Sequence, residues 1–163
     1  MTRLRAALSV LIASFAVGGC GATARHPIDY AARAYVGGQP VDLTAYAGEP
    51  VVLTSFASWC GECIGELPGL ERYWRGHRRP TIVAVDLDDA SGRRAAAALV
   101  GRNHLTMPIW VDAARRFVSV FDTPGTPTTV LLDRHHRVVR KWFGPVEFEG
   151  AAFRTAVAKV VAS

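Results

Sequence analysis

A six-residue run, VVLTSF at 51–56, stops three residues before Trp59-Cys60-Gly61-Glu62-Cys63. The run is short, apolar and rich in β-branched residues, so it reads as a buried strand. Beyond the cysteines the period changes, and Ile64, Leu67, Leu70, Glu71 and Trp74 follow at helical spacing over residues 61–74. A strand therefore hands over to a helix at the two cysteines. That junction constrains the chain strongly, because strands alternating with helices build a sheet covered by helices.

Two cysteines at i and i+3 in the first turn of a helix share a face. The unpaired N–H groups and the dipole of the helix start favour a thiolate at Cys60. Cys63, one turn further in, is expected to be more buried and less acidic. This asymmetry suits disulfide exchange, in which one thiolate attacks a disulfide and a second thiol resolves the mixed disulfide. Other readings of the pair exist. Half of a zinc site needs two more ligands, and the conceivable donors are His104, His135 and His136, since Cys20 is expected to be lipidated or removed. A stabilising disulfide gains little, because closing so short a loop removes little chain entropy.

The rest of the pattern continues the alternation. Residues 36–46 read as a small hairpin or extended segment, with Gly37-Gly38 and Gln39-Pro40 as turn signals. Residues 81–87 (TIVAVDL) form a second buried strand, and residues 91–103 an Ala-rich helix with Ser91 as N-cap. A short strand at 109–111 and a helix over 113–121 follow. Residues 128–132 and 138–143 read as strands joined by a hairpin at Asp133-Arg134-His135-His136, and residues 148–161 as a closing amphipathic helix. The expected fold class is α/β, a three-layer α/β/α sandwich with a mixed central sheet.

With 163 residues, half of them hydrophobic and 20% charged, the chain is an ordinary globular domain and not a disordered one. The net charge of +5 comes from 19 basic against 14 acidic side chains. All the basic residues but Lys141 and Lys159 are arginine, scattered as pairs such as Arg78-Arg79, Arg93-Arg94 and Arg115-Arg116. No basic patch is interleaved with stacking aromatics, so nucleic-acid binding is not expected.

Residues 1–19 read as a signal peptide. Arg3 and Arg5 form its positive start, residues 6–17 its apolar core, and Val17-Gly18-Gly19 leads into Cys20. Small residues before a cysteine resemble a bacterial lipobox, which implies cleavage before Cys20 and lipid on its thiol; the alternative is a plain secretory signal. Residues 20–35 are then the lipidated N-terminus and tether, and residues 36–163 the domain. The expected location is the extracytoplasmic face of the cell membrane, where disulfides persist.

Three local matches resemble the thioredoxin superfamily, and within it the TlpA/ResA-type branch of membrane-tethered thiol-disulfide oxidoreductases. They are VVLTSFASWCGEC; CIGELP, with Glu66 three residues after Cys63 and Pro68 two later; and Gly125-Thr126-Pro127-Thr128-Thr129. The resemblance implies a thioredoxin-like domain over residues 36–163, with Cys60 as nucleophile, Cys63 as resolving thiol and a redox-active disulfide between them. It implies a cis bond before Pro127, facing the cysteines. Thr126 then offers backbone hydrogen bonds to an extended substrate. Trp59 is either a core aromatic or part of the substrate-facing rim, and Glu66 either a helix-surface acid or a proton acceptor for Cys63. The implied activity is reduction of protein disulfides, with apocytochrome c among the branch's substrates and electrons from a thiol donor in the membrane. No organic cofactor and no metal is called for. The alternatives are a copper-binding carrier on the same fold and an oxidase that donates disulfides.

The chain departs from the family pattern at three places. Thr54 stands where thioredoxin has a buried aspartate and cannot accept a proton from Cys63, which leaves Glu66 as the better candidate. The dipeptide between the cysteines is Gly61-Glu62, and the Glu62 carboxylate beside the nucleophile opposes thiolate formation. The 133–137 hairpin lacks a glycine. A poorly stabilised thiolate favours a reductant over an oxidant.

Overall fold

The structure, a computed structural model, describes residues 26–163; the signal peptide and Cys20 fall outside the described residues. Seven strands form one mixed sheet in the order β2-β1-β5-β4-β3-β6-β7. They are β1 (Ala31–Ala34), β2 (Pro40–Asp42), β3 (Val51–Phe56), β4 (Thr81–Asp86), β5 (Ile109–Val111), β6 (Thr128–Leu132) and β7 (Val138–Phe143). The helices are α1 (Gly61–Gly76), α2 (Arg93–Arg102), α3 (Arg116–Val120) and α4 (Ala151–Val161). Strands β3, β4 and β5 run parallel, while β6 pairs antiparallel with β3 and with β7.

Period-2 alternation along the central strands builds the layers. Val52, Ile82, Ala84 and Leu131 face one side and pack with Leu67, Leu70 and Tyr73 of α1, Leu99 of α2 and Phe153 and Val157 of α4. Val51, Leu53, Val83, Val85, Val130 and Leu132 face the other, against Phe117, Phe121, Leu43 and Tyr30. Both faces of β3, β4 and β6 are covered, which explains why these strands read as continuous apolar runs.

Several local expectations need correction. Residues 31–34 are not tether: they form β1, which pairs with β2 and β5. Tyr30 is fully buried, with its hydroxyl donating to Asp112 Oδ2 at 3.0 Å. The alternation Ile28, Tyr30, Ala32 is too short to stand out in sequence, and only tertiary packing reveals it. The hairpin therefore begins before residue 36. It turns at Gly37 and Gly38, both at positive φ, and Leu43–Tyr46 is a 3-10 turn.

Ser91 is not the cap of α2. Gly92 holds that position without a side-chain bond, and Asp89 Oδ1 accepts from the Ser91 and Gly92 N–H groups. The helix expected over 113–121 shrinks to α3, because Arg115 sits at φ 54° and the Asp112 carboxylate takes the Phe117 N–H at 2.6 Å. Ile64 lies on the exposed side of α1, while Tyr73, absent from the sequence pattern, is buried. His136 supplies the positive φ of the glycine-free hairpin and contacts the Tyr46 carbonyl through Nε2 at 3.2 Å.

Candidate active site

The carboxyl end of β3 leads through Ala57-Ser58-Trp59 into α1, and Cys60 is the N-cap of that helix. Its side chain does the capping, with the Cys63 N–H donating to Cys60 Sγ at 3.2 Å. A sulfur that already receives a helix-start N–H is placed to hold negative charge. Cys60 and Cys63 are joined in a disulfide, with Cα atoms 5.3 Å apart. Cys60 keeps 7% of its surface in solvent and Cys63 none. Cys60 is thus the more accessible of the two, as the helical spacing predicts.

The segment before β6 closes the site from the other side. The Thr126–Pro127 peptide is cis. The Thr126 carbonyl oxygen lies 3.6 Å from Cys60 Sγ, a contact that becomes a hydrogen bond when the thiol carries a proton. The Thr126 hydroxyl lies 3.6 Å from Cys63 Sγ. One residue therefore touches both sulfurs. Pro127 is buried and its carbonyl accepts from the Gly144 N–H at 3.0 Å, which ties the segment to the end of β7.

Trp59 is 60% exposed, so it belongs to the rim and not the core. The Arg115 guanidinium sits 5.5 Å over its ring, and Arg115 Nε donates to the Leu87 carbonyl at 3.3 Å. Glu62 is exposed on the first turn of α1. Glu66 is not a surface acid: only 7% of it is accessible. Its Oε2 accepts from the Val146 N–H at 2.9 Å, while Oε1 is buried without a partner. Burial pushes its carboxyl up to about 7, the Val146 N–H opposes this, and the Glu62 charge adds a little to the rise. Thr54 is occupied elsewhere, its hydroxyl 3.1 Å from that of Thr129.

Sequence reasoning missed a supporting set. Asp88, almost wholly buried, accepts from both the N–H and the hydroxyl of Ser58, and Asp86 Oδ1 accepts the Asp88 N–H at 2.9 Å. Burial raises the Asp86 carboxyl to about 7, and the neighbouring Asp88 carboxylate pushes the same way. Ser55 and Arg115 were also missed. The Asp86-Leu87-Asp88-Asp89 cluster straight after an apolar strand was the available signal for the first pair. Among the described residues, no group of three or more His, Cys, Asp or Glu side chains lies together as a metal site would. Nor is any helix among them long and apolar enough to cross a membrane.

Comparison with known proteins agrees with this geometry. Thiol-disulfide oxidoreductase ResA of Bacillus cereus is 23% identical over 107 residues, which is 66% of this chain and 62% of that protein. The chain thus spans less than two thirds of that relative. Sporulation thiol-disulfide oxidoreductase A of Bacillus subtilis is 25% identical over 105 residues, 63% of this chain and 64% of that protein. Among solved structures, StoA from Bacillus subtilis superimposes with a TM-score of 0.63 at 21% identity, covering 75% of this chain and 92% of that one. A secreted thiol-disulfide isomerase from Corynebacterium glutamicum gives 0.72 at 19% identity, covering 83% and 84%. These likenesses establish a thioredoxin-like fold. The Redoxin family model matches residues 23–156, and the chain belongs to the Redoxin family.

Proposed function

We infer that this protein is an extracytoplasmic thiol-disulfide oxidoreductase that reduces protein disulfides. The observation that carries the reading is the Cys60–Cys63 disulfide at the start of α1, with the Cys63 N–H on Cys60 Sγ and the Thr126 carbonyl against it. The names of the Bacillus relatives support the same chemistry.

In the reduced protein, the Cys60 thiolate attacks one sulfur of a substrate disulfide, and the other sulfur leaves as a thiolate. The Cys63 thiolate then attacks Cys60 Sγ and releases the second substrate sulfur. The substrate gains two electrons and the protein ends as the Cys60–Cys63 disulfide. A thiol donor in the membrane restores the dithiol by the reverse exchange. Trp59 and the Thr126–Pro127 segment frame the approach to Cys60, and Thr126 offers backbone to an extended substrate chain. Glu66, one turn after Cys63 on α1, has its carboxyl raised to about 7 by burial, and the resemblance makes it a proton acceptor for Cys63. Cys20 carries the lipid that holds the domain at the membrane, and apocytochrome c is the substrate implied by the resemblance to the ResA branch.

The test is a trap. In cells, Cys63→Ser should accumulate mixed disulfides through Cys60, while Cys60→Ser should not. Purified, reduced wild-type protein should reduce a disulfide-bonded protein substrate. Absence of any mixed disulfide in Cys63→Ser, or exchange that survives loss of Cys60, would overturn the reading.

A further inference from the structure

A line of three groups runs inward from the resolving sulfur. Cys63 Sγ lies 3.6 Å from Thr126 Oγ1, and Thr126 Oγ1 lies 3.0 Å from Ser55 Oγ. Ser55 Oγ in turn accepts the Thr128 N–H at 3.0 Å and faces the Thr128 carbonyl at 3.3 Å. Ser55 is fully buried in β3, and its hydroxyl reaches the sulfur only by way of Thr126. Its own hydroxyl proton has two places to go, Thr126 Oγ1 or the Thr128 carbonyl.

Those two choices match the two protonation states of Cys63. A thiol donates to Thr126 Oγ1. The Thr126 proton then points to Ser55, and the Ser55 proton to the Thr128 carbonyl. A thiolate can only accept, so Thr126 donates to Cys63 and Ser55 donates to Thr126. Either arrangement leaves every proton placed on a group of the protein. The Thr128 N–H stays on Ser55 Oγ in both, and holds the pivot still.

The geometry points to Ser55 as a positioning residue for the resolving step, acting through the Thr126 hydroxyl on Cys63. The assignment rests on the oxidoreductase reading above. A charge-assisted bond to the thiolate is stronger than its neutral counterpart, so the chain of hydroxyls favours the form of Cys63 that attacks. In that attack a bond forms between Cys63 and Cys60 while the Cys60–substrate bond breaks. The proton lost by Cys63 is matched by one taken up by the departing substrate sulfur. The ionisable groups that α1 adds around Cys63 are Glu62 and Glu66, and neither is altered by changes at Ser55 or Thr126.

The test reads Cys63 directly. In reduced Cys60→Ser protein, the carbon-13 shift of Cys63 Cβ is followed against pH. Ser55→Ala and Thr126→Val should each move the midpoint upward, giving about a tenfold smaller thiolate fraction at a fixed pH below it. The double variant should show no further shift, and Ser55→Thr should keep the wild-type midpoint. With Cys60 restored and loaded as a mixed disulfide with thionitrobenzoate, release of the dye by Cys63 should slow about tenfold in either variant. An unchanged midpoint in Ser55→Ala, or shifts that simply add in the double variant, would overturn the assignment. Should Ser55→Ala fail to fold, Ser55→Gly takes its place, and no shift in it or in Thr126→Val overturns the assignment. The titration needs no protein substrate, so its failure is distinct from failure of the oxidoreductase reading, which shows as no exchange by the wild type.

Discussion

Asp88 holds Ser58 with both carboxylate oxygens, Oδ2 on the N–H at 2.7 Å and Oδ1 on the hydroxyl at 2.8 Å. Ser58 is two residues before the outer cysteine, so the loop at the end of β4 fixes the loop at the end of β3. Hydrogen bonds to a charged acceptor contribute more than neutral ones, and orphaning the Ser58 N–H adds a desolvation cost. Asp88→Ala should therefore lower stability by about 2–4 kcal/mol. Ser58→Ala, which keeps the N–H bond, should cost about 1 kcal/mol. Urea unfolding of the two variants checks the order; equal costs would mean the N–H bond contributes nothing.

Cys60 should react with iodoacetamide far faster than Cys63 in the reduced protein. It alone has solvent access, and it receives the Cys63 N–H at the helix start. Peptide-resolved mass spectrometry after timed alkylation measures both rates, and a faster Cys63 would reverse the assignment of nucleophile.

Glu66 gives the fold a pH dependence of defined sign. Its carboxyl titrates near 4.5 when exposed and is raised to about 7 in the folded protein, chiefly by burial. The folded state thus keeps a proton that the unfolded state releases. The contribution to stability is complete below about pH 4.5 and is lost as pH rises to about 7, a fall on the order of 3 kcal/mol. Asp86, raised to about 7, acts in the same direction. Glu66→Gln should remove its share of the fall and leave the Asp86 share. Thermal melts at pH 5 and pH 8 should show a smaller difference for the variant than for wild type.

Tyr30 ties the segment before β1 into the domain, through its bond to Asp112 and its ring contacts with Phe117 and Phe121. Tyr30→Ala should cost about 3–5 kcal/mol, and Tyr30→Phe about 1 kcal/mol. A chain begun at residue 36 should melt far below one begun at residue 27, by circular dichroism. Equal melting temperatures would return these residues to the tether.

Glu62 should help to keep the protein a reductant. Its carboxylate sits on the first turn of α1, one residue from Cys63 and two from Cys60, and opposes thiolate formation there. The wild-type potential is expected nearer thioredoxin (about −270 mV) than DsbA (about −120 mV). Glu62→His should raise it. Equilibration against dithiothreitol and glutathione series reads both values, and a wild-type value near the DsbA end would favour the oxidase reading.

The parts of the fold that were legible in the sequence are those with a strong local period. The bounds of β3, β6 and β7 follow from apolar runs and turn residues, and the start of α1 from the cysteines. The two sulfurs, the rim position of Trp59 as one of two options, and Pro127 opposite them were readable from motifs. The burial of Glu66 was not, because it depends on Val146 arriving from a segment 80 positions away. The contacts of Ser55, Asp88 and Arg115 were not legible for the same reason, although the acidic cluster at 86–89 marked the neighbourhood of Asp88. Each is an ordinary polar residue until strands from distant parts of the chain bring Thr126, Ser58 and Trp59 beside it.

The two borders of the sheet differ in kind from its centre. One is β2, three residues long and opened by Pro40, which has no N–H to offer. The other is β7, where Arg140 and Lys141 are set among aromatic and aliphatic neighbours. Short length, proline and cationic side chains all discourage another extended polypeptide from adding itself to a sheet. A long, flat and uncharged border would otherwise risk being lengthened by other chains into an aggregate. Here the borders are poor templates, so the sheet ends where its own strands end.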